Sequence, residues 1–364
     1  MIKAVEIKQF RGIKELRLDD LRMLNIIVGP SAAGKTALLE GVRLALGATP
    51  QVAFNLAPRG MPVAIPPNPT RDQFESIWSP LFFDFGVDTP IHFGLVDREN
   101  REARLEIFFD ESKTMVATQP ALPLSGNSPG TPPGPPAVLS AIAPLAFKRK
   151  PFTGPQTVLH AAVTPDGQVQ LEQGKELGVA VEFLSPAWQT NPQQIAAMFS
   201  KLSINGKTTG IISVLKDRFP EITDLSVESP AYYPILYASL RHVTKKMPLA
   251  MVSSGINKFV SLLLTIENTS GGLILLDEIE NGIYYQTMPA LWKALHTSAI
   301  QASTQLFLTT HSWECLQSAA PLVRKSPKDF SLIQMYQEDG QSVAKVVPGE
   351  YAAAAIDASI ELRA

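Results

Sequence analysis

Two phrases far apart in this chain carry the residue types that phosphate chemistry needs. The first is Gly29-Pro-Ser-Ala-Ala-Gly34-Lys35-Thr36, directly after the apolar run Leu24–Val28. A glycine-rich turn lets backbone N–H groups wrap a phosphate, and the N-terminus of a following helix adds a favourable dipole. In such a P-loop Lys35 reaches the β- and γ-phosphates and the Thr36 hydroxyl ligates Mg²⁺. The nucleotide contacts then fall on Gly29, Pro30, Ser31, Ala32, Ala33, Gly34, Lys35, Thr36 and Ala37. The second phrase is Leu273-Ile-Leu-Leu-Asp277-Glu278. Four apolar residues put Asp277 at the carboxyl end of a buried strand, where open α/β sheets bind ligands. Asp277 would hold Mg²⁺ through water, and Glu278 would orient or deprotonate the attacking water. Each phrase alone has a bland counterpart, a chance glycine turn or a solvated strand end. Together they read as the two parts of a nucleoside triphosphatase site.

Two further features fit that chemistry. His311 follows the strand-like run Gln305–Thr309 and could contact the γ-phosphate from the next strand end. Ser253-Ser254-Gly255 precedes an apolar helical pattern over 256–266 that runs into the acidic strand through Gly271-Gly272. Serine and glycine at a helix start supply a cap and an anion site. Without the other motifs the cap alone would be the simpler reading.

The elements that must position these residues are legible in outline. Val5 and Ile7, then Leu16 and Leu18, alternate with charged residues at the period of half-buried strands. Leu24–Val28 is nearly all apolar, as a central parallel strand should be. Residues 36–46 carry leucines at helical spacing, so the glycine-rich phrase sits between strand and helix. Residues 50–70, rich in proline, read as loop. Residues 74–110 read as strands, over 91–96 and 103–109. Residues 112–155 are the least regular, and Pro129-Gly-Thr-Pro-Pro-Gly-Pro-Pro136 suits neither a helix nor a central strand. A hairpin is predicted over 157–171. Helix is predicted over 192–219 with a break at Asn205-Gly206, and again over 284–295 and 351–362. A last hairpin turns at Asp339-Gly340.

The chain has 364 residues, 45% of them hydrophobic and 18% charged, enough for one large or two modest domains with a sizeable core. A formal net charge of −2 gives no global reason to expect nucleic acid, although a local basic groove is compatible. The single cysteine, Cys315, rules out an internal disulfide and fits a reducing, cytoplasmic setting. The first residues do not resemble a signal peptide, and no run approaches a spanning helix. No membrane contact is therefore expected.

The order P-loop, Ser-Gly helix start, Asp-Glu strand and Thr-Thr-His resembles that of ATP-binding-cassette (ABC) ATPases. The fuller phrasing is closer to the RecF, SMC and OLD (overcoming lysogenization defect) branch. Phe10-Arg11-Gly12, Leu276-Asp-Glu-Ile-Glu-Asn-Gly-Ile283 and Thr309-Thr-His-Ser312 resemble its phrases. Within the branch the chain looks most like compact OLD-type AAA-family ATPases that lack a Toprim nuclease domain. The match covers residues 1–47 and roughly 180–350.

The resemblance implies an α/β P-loop fold with an ABC-ATPase head: a mixed central sheet, N-terminal antiparallel strands and an inserted helical and strand subdomain. It suggests an N-terminal lobe over 1–110, a proline-rich insertion and hairpin over 111–180, and a C-terminal lobe over 181–364. It implies ATP and Mg²⁺ as ligands and a homodimer that sandwiches ATP, with higher assembly left open. Lys35 and Thr36 of one subunit and the Ser253-Ser254-Gly255 helix start of its partner would share one γ-phosphate. Glu280-Asn281-Gly282 would face the partner, His311 would act as the switch histidine, and Arg11 would approach the phosphates. Which of the two serines meets phosphate is open, Tyr284 stands where the phrase usually has His, and Gln73 is the candidate for the magnesium-contacting glutamine.

A long coiled-coil arm is excluded because the residues between the two phrases carry no heptads. The residues after His311 contain no convincing Asp-x-Asp phrase, so no intrinsic nuclease is expected. The expected role is an ATP-driven dimer that regulates a separate effector, a nuclease or toxin, or a DNA transaction, in DNA repair or antiviral (anti-phage) defence. The alternatives are the energising subunit of a membrane transporter and a slow-turnover nucleotide-sensing scaffold. Basic spots at Lys148-Arg149-Lys150, Lys245-Lys246 and Arg324-Lys325 with Lys328 are candidates for a DNA groove, though usually such runs are solvated surface.

Overall fold

A computed structural model describes residues 1–57, 65–113, 115–116, 141–186 and 191–357. In chain order the elements are β1 (Ile2–Phe10), β2 (Ile13–Leu18), β3 (Leu24–Val28), α1 (Lys35–Gly47), α2 (Pro50–Leu56), α3 (Arg71–Trp78), β4 (Ile91–Asp97) and β5 (Glu102–Phe109). The two-residue pair β6 (Met115–Val116) and β7 (Ala141–Ile142) comes next, then β8 (Leu145–Lys150), β9 (Thr157–Val163), β10 (Val169–Leu171) and β11 (Val181–Leu184). Helices α4 (Pro192–Ile204) and α5 (Thr209–Arg218) precede β12 (Ile222–Glu228), β13 (Ile235–Leu240), β14 (Met247–Pro248) and the short α6 (Leu249–Val252). The rest is α7 (Ser254–Asn268), β15 (Leu273–Leu276), α8 (Met288–Ala302), β16 (Gln305–Thr309), α9 (Trp313–Lys325), β17 (Phe330–Glu338), β18 (Gln341–Pro348) and α10 (Gly349–Asp357).

Two large sheets organise the chain. The central one has the order β11-β15-β16-β3-β17-β18, parallel except for β18, which pairs antiparallel to β17. The other, β10-β9-β8-β5-β4-β1-β2, is antiparallel throughout. Alternate residues of each central strand serve different cores. Ile26, Ile274 and Leu308 pack with α4 and α7–α10 on one face. Ile27, Leu275 and Phe307 pack on the other with α1 and the antiparallel sheet. A sheet covered on both faces needs continuous apolar strands, which is why Leu24–Val28 and Leu273–Leu276 show no polar alternation. Residues 192–248, with α4, α5 and a three-stranded sheet of β12, β13 and β14, come between β11 and α7 in the chain, within the expected C-terminal lobe.

Several expectations need correction. Residues 50–56 are helix, not loop: Thr49 caps α2 through its side chain, and Pro50 sits at the first helical position, where its missing N–H costs nothing. Residues 71–78 are also helix, begun by a capping box between Thr70 and Gln73. Strand β8 lies inside the stretch read as irregular, and β8 to β10 extend the antiparallel sheet from β5. The helix expected over 284–295 begins at Met288 after a short turn and runs to Ala302, where Ser303 is left-handed. The β12–β13 hairpin had no clear sequence signal. The proline-rich stretch 129–136 lies outside the described residues. Among those described, no helix is long and apolar enough to cross a membrane.

Candidate nucleotide-binding site

Parallel pairing puts three strand ends side by side. β3 leads into residues 29–34, β15 into Asp277-Glu278, and β16, between them, into Thr310-His311. At the first end, Gly29 and Gly34 hold φ of 146° and 94°. Both are crowded from below by the β17–β18 hairpin. A Cβ on Gly29 would lie 2.1 Å from the Met335 carbonyl oxygen, and one on Gly34 would lie 2.4 Å from Ser342 Oγ. Glycine is required at both for conformation and for space. Gln337 Nε2 donates to the Ala32 carbonyl at 2.9 Å and to Ser342 Oγ at 3.1 Å, so the hairpin also holds the loop's crest. These hairpin residues carry no motif and were invisible in the sequence.

Lys35 is 4% exposed, and its ammonium donates to the Gly29 and Pro30 carbonyls at 2.8 and 2.7 Å. Burial lowers its pKa, opposed by the charges of Asp277, Glu278 and Glu280. The Thr36 hydroxyl donates to Asp277 Oδ2 at 2.8 Å, joining the glycine loop to the acidic strand. Thr309 donates to Asp277 Oδ1 at 2.5 Å and accepts the Glu278 N–H at 2.8 Å. A threonine inside the Thr-Thr-His phrase thus holds the Asp277 side chain and the Glu278 backbone.

Glu278 is left-handed, φ 54°. Its Oε1 lies 4.0 Å from His311 Nε2, and both side chains are 39% exposed. The Glu280 Oε1 accepts the N–H groups of His311 and Ser312 at 2.7 and 3.1 Å, at the start of α9. Burial pushes the nearby Cys315 thiol up to about 12, so it stays protonated and is no nucleophile.

A cleft of about 930 Å³ opens over the loop and includes Lys35, Thr36, Arg11, His311 and Gln337 in its walls. Arg11 is at the cleft, but its guanidinium faces protein groups: Glu40 Oε2 at 2.8 Å, the Leu56 carbonyl at 2.8 Å and the Pro80 carbonyl at 3.3 Å. Gln73 is elsewhere, its amide spent in the α3 capping box. Ser253, Ser254 and Gly255 do not line the cleft. The Ser253 hydroxyl accepts the Ile256 N–H as the cap of α7, and a Cβ on Gly255 would stand 3.3 Å from the Gly282 carbonyl oxygen. The α7 start therefore abuts the 280–282 loop of its own chain, and Lys258 donates to the Asn281 carbonyl there. Burial lowers the Lys258 pKa, against the pull of Glu278 and Glu280. Of the basic spots, Lys148 and Lys246 are paired with Glu106 and Glu228.

Comparisons with known proteins bear on the fold and on nucleotide hydrolysis. The family described as "AAA domain, putative AbiEii toxin, Type IV TA system" matches residues 193–315. The "ATP/GTP phosphatase" of Helicobacter pylori (strain ATCC 700392 / 26695) is 22% identical over 380 residues, covering 96% of each chain. Among solved structures, that of "the SmcHead bound to the C-winged helix domain of ScpA" shares the fold at a TM-score of 0.51 and 13% identity, over 96% of this chain and 99% of that one. The fold is that of a P-loop NTPase with an ABC-ATPase head, and the similarities are to nucleotide-hydrolysing proteins of AAA type. A shorter stretch of this ATPase, 48 residues and 13% of its length, is 48% identical to "Uncharacterized protein MJECL10" of Methanocaldococcus jannaschii, 22% of which it spans.

Proposed function

We propose that this ATPase binds a magnesium nucleoside triphosphate, ATP by resemblance, over residues 29–37 and hydrolyses it with Glu278 as the group that orients and deprotonates water. A second copy closes over the cleft with its Ser253-Ser254-Gly255 helix start. The observation that carries the reading is the 2.8 Å contact between the Thr36 hydroxyl and Asp277. It brings the phosphate loop and the acidic strand to one point, with Glu278 and His311 on the same edge.

The donor set fits magnesium: a hydroxyl and a carboxylate, both hard oxygens, with room for waters and phosphate. Bound there, Mg²⁺ would neutralise charge developing on the phosphate oxygens. The chain's own groups do the rest. Lys35 exchanges loop carbonyls for phosphate oxygens, and backbone N–H groups of the loop orient the chain of phosphates. Thr309 keeps Asp277 in place and holds Glu278 through its backbone. Glu278 takes the proton from water, and His311, 4.0 Å away, is placed to contact the γ-phosphate.

Two observations support completion by a second copy. The α7 start does not reach its own cleft. Beside it, Met251, Tyr284 and Tyr285 are 74%, 59% and 59% exposed, a rim suited to being covered. The toxin–antitoxin wording of the matched family and the nucleotide-hydrolysing relative favour an ATPase whose output passes through a separate effector in defence, or through DNA.

The test is turnover of MgATP by the wild type and Glu278→Gln, with size measured at each stage. Turnover should fall about 10²- to 10⁴-fold, the usual contribution of a general base, and the variant should accumulate as an ATP-bound dimer. Undiminished turnover in Glu278→Gln would remove it from the base role.

A further inference from the structure

A P-loop grips phosphates and leaves the base to other surfaces. One wall of the cleft takes no part in the phosphate chemistry: the turn Phe83-Asp84-Phe85 between α3 and β4, which lines the same cleft as Lys35 and Thr36. Phe85 is 67% exposed, although it is large and apolar. Asp84 and Phe85 both hold left-handed φ, 50° and 57°, which is costly outside glycine. Such a turn persists because its surroundings impose it.

Those surroundings are visible. Phe82 is buried, stacks on Phe109 at a centroid distance of 6.2 Å, and bridges to Phe10 of β1. The Arg11 N–H donates to the Leu81 carbonyl at 2.9 Å, and its guanidinium reaches the Pro80 carbonyl while pairing with Glu40 on α1. Arg11 therefore ties the aromatic turn to the helix that begins at Lys35, and fixes the distance between them. The Asp84 carboxylate has no hydrogen bond or ion pair among the described residues.

We infer that Phe83-Asp84-Phe85 is the base-recognition element of the cleft, with the Phe85 ring as a stacking platform for a purine and Asp84 accepting N–H groups at the base edge. Stacking on an aromatic ring is tolerant, because every base has a π face. The carboxylate is selective, because it accepts only where the edge carries a donor, the amino group of adenine or the N1–H and amino group of guanine. Arg11 acts as a positioning residue for the turn instead of a phosphate ligand. The inference rests on the cleft taking a nucleoside triphosphate.

Affinity for MgATP, MgGTP and magnesium tripolyphosphate, which has no base, separates the two levels. Phe85→Ala should weaken both nucleotides about tenfold, the scale of one base–aromatic stack, and leave tripolyphosphate unchanged. Phe85→Trp should restore nucleotide affinity. Asp84→Asn should alter the ATP-to-GTP affinity ratio about tenfold or more, the scale of one lost charged hydrogen bond, again without touching tripolyphosphate. Unchanged nucleotide affinity in Phe85→Ala, an equal loss for tripolyphosphate, or an unchanged ratio in Asp84→Asn would overturn the assignment. A wild type that binds tripolyphosphate and nucleotides equally would overturn it too, while leaving the phosphate site standing. A wild type that binds none of the three would instead overturn the nucleotide reading itself.

Discussion

The glycine-loop end and the α7 end of this molecule both present a helix N-terminus, and they are built differently. At the start of α1 the cap is Gly34, left-handed and wedged over Ser342. Around it, Lys35 is nearly fully buried, and hydrogen bonds link Thr36, Asp277, Thr309 and Glu278 without a break. At the start of α7 the cap is Ser253, which satisfies its own helix, and the neighbouring Met251, Tyr284 and Tyr285 point largely into solvent. The first end is preorganised inside one chain by groups from five elements. The second is locally complete but has its outer face uncovered. The same helix-terminus chemistry thus sits in a buried, hydrogen-bonded setting in one place and beside exposed apolar and aromatic side chains in the other.

That contrast can be broken in several ways. The largest effect is expected at Gly29→Ala. Its Cβ would meet backbone, 2.1 Å from the Met335 oxygen, so unfolding in urea should show a loss of about 3 kcal/mol or more, or no folded protein. Ser254→Ala at the other end should stay within about 0.5 kcal/mol, and a similar loss at both would erase the distinction. Next, Lys35→Ala should weaken nucleotide binding by about 1.5–3 kcal/mol, as for hydrogen bonds to charged groups. Calorimetric titration checks this, and retained affinity would remove Lys35 from the phosphate contacts. Thr309→Val should destabilise by about 1–3 kcal/mol, since it takes the Thr309 hydroxyl away from Asp277 Oδ1 and from the Glu278 N–H in a buried setting. Thr309→Ser should keep most of that stability and most of the turnover. A smaller effect is expected at Ser253→Ala, about 1 kcal/mol from the lost cap, with nucleotide binding by the single chain unchanged. If its cost matched that of Thr309→Val, the α7 end would be as internally tied as the other.

How much of this was legible depends on how local each cause is. Gly29–Thr36 and Leu273–Glu278 could be read because strand, turn and helix signals are contiguous there. Thr49-Pro50 is an equally local helix start, yet the prolines downstream masked it. Gln73 showed only its residue type, and its side chain was already committed three residues back, to Thr70. Arg11 lay in a resembling phrase, but its acceptors, Glu40, Leu56 and Pro80, come from three other segments. Gln337 and Ser342 lie in an unremarkable hairpin, and only its parallel pairing with β3 brings them beneath the loop.

The sequence by itself determined the chemistry available: a turn that can wrap phosphate, an acidic pair at a strand end, a histidine after the neighbouring strand, and a capped helix start. These follow from propensity and spacing over fewer than about ten residues, where backbone geometry leaves few options. The tertiary structure decided which of them meet. Parallel pairing of β3, β16 and β15 brings Thr36 to Asp277 and keeps Ser253 away from the same cleft. Elsewhere, Glu40 and the Leu56 and Pro80 carbonyls, from three other segments, hold the Arg11 guanidinium. Such choices depend on which distant strands share a sheet and which polar groups must be satisfied once buried, and neither is encoded within a single segment.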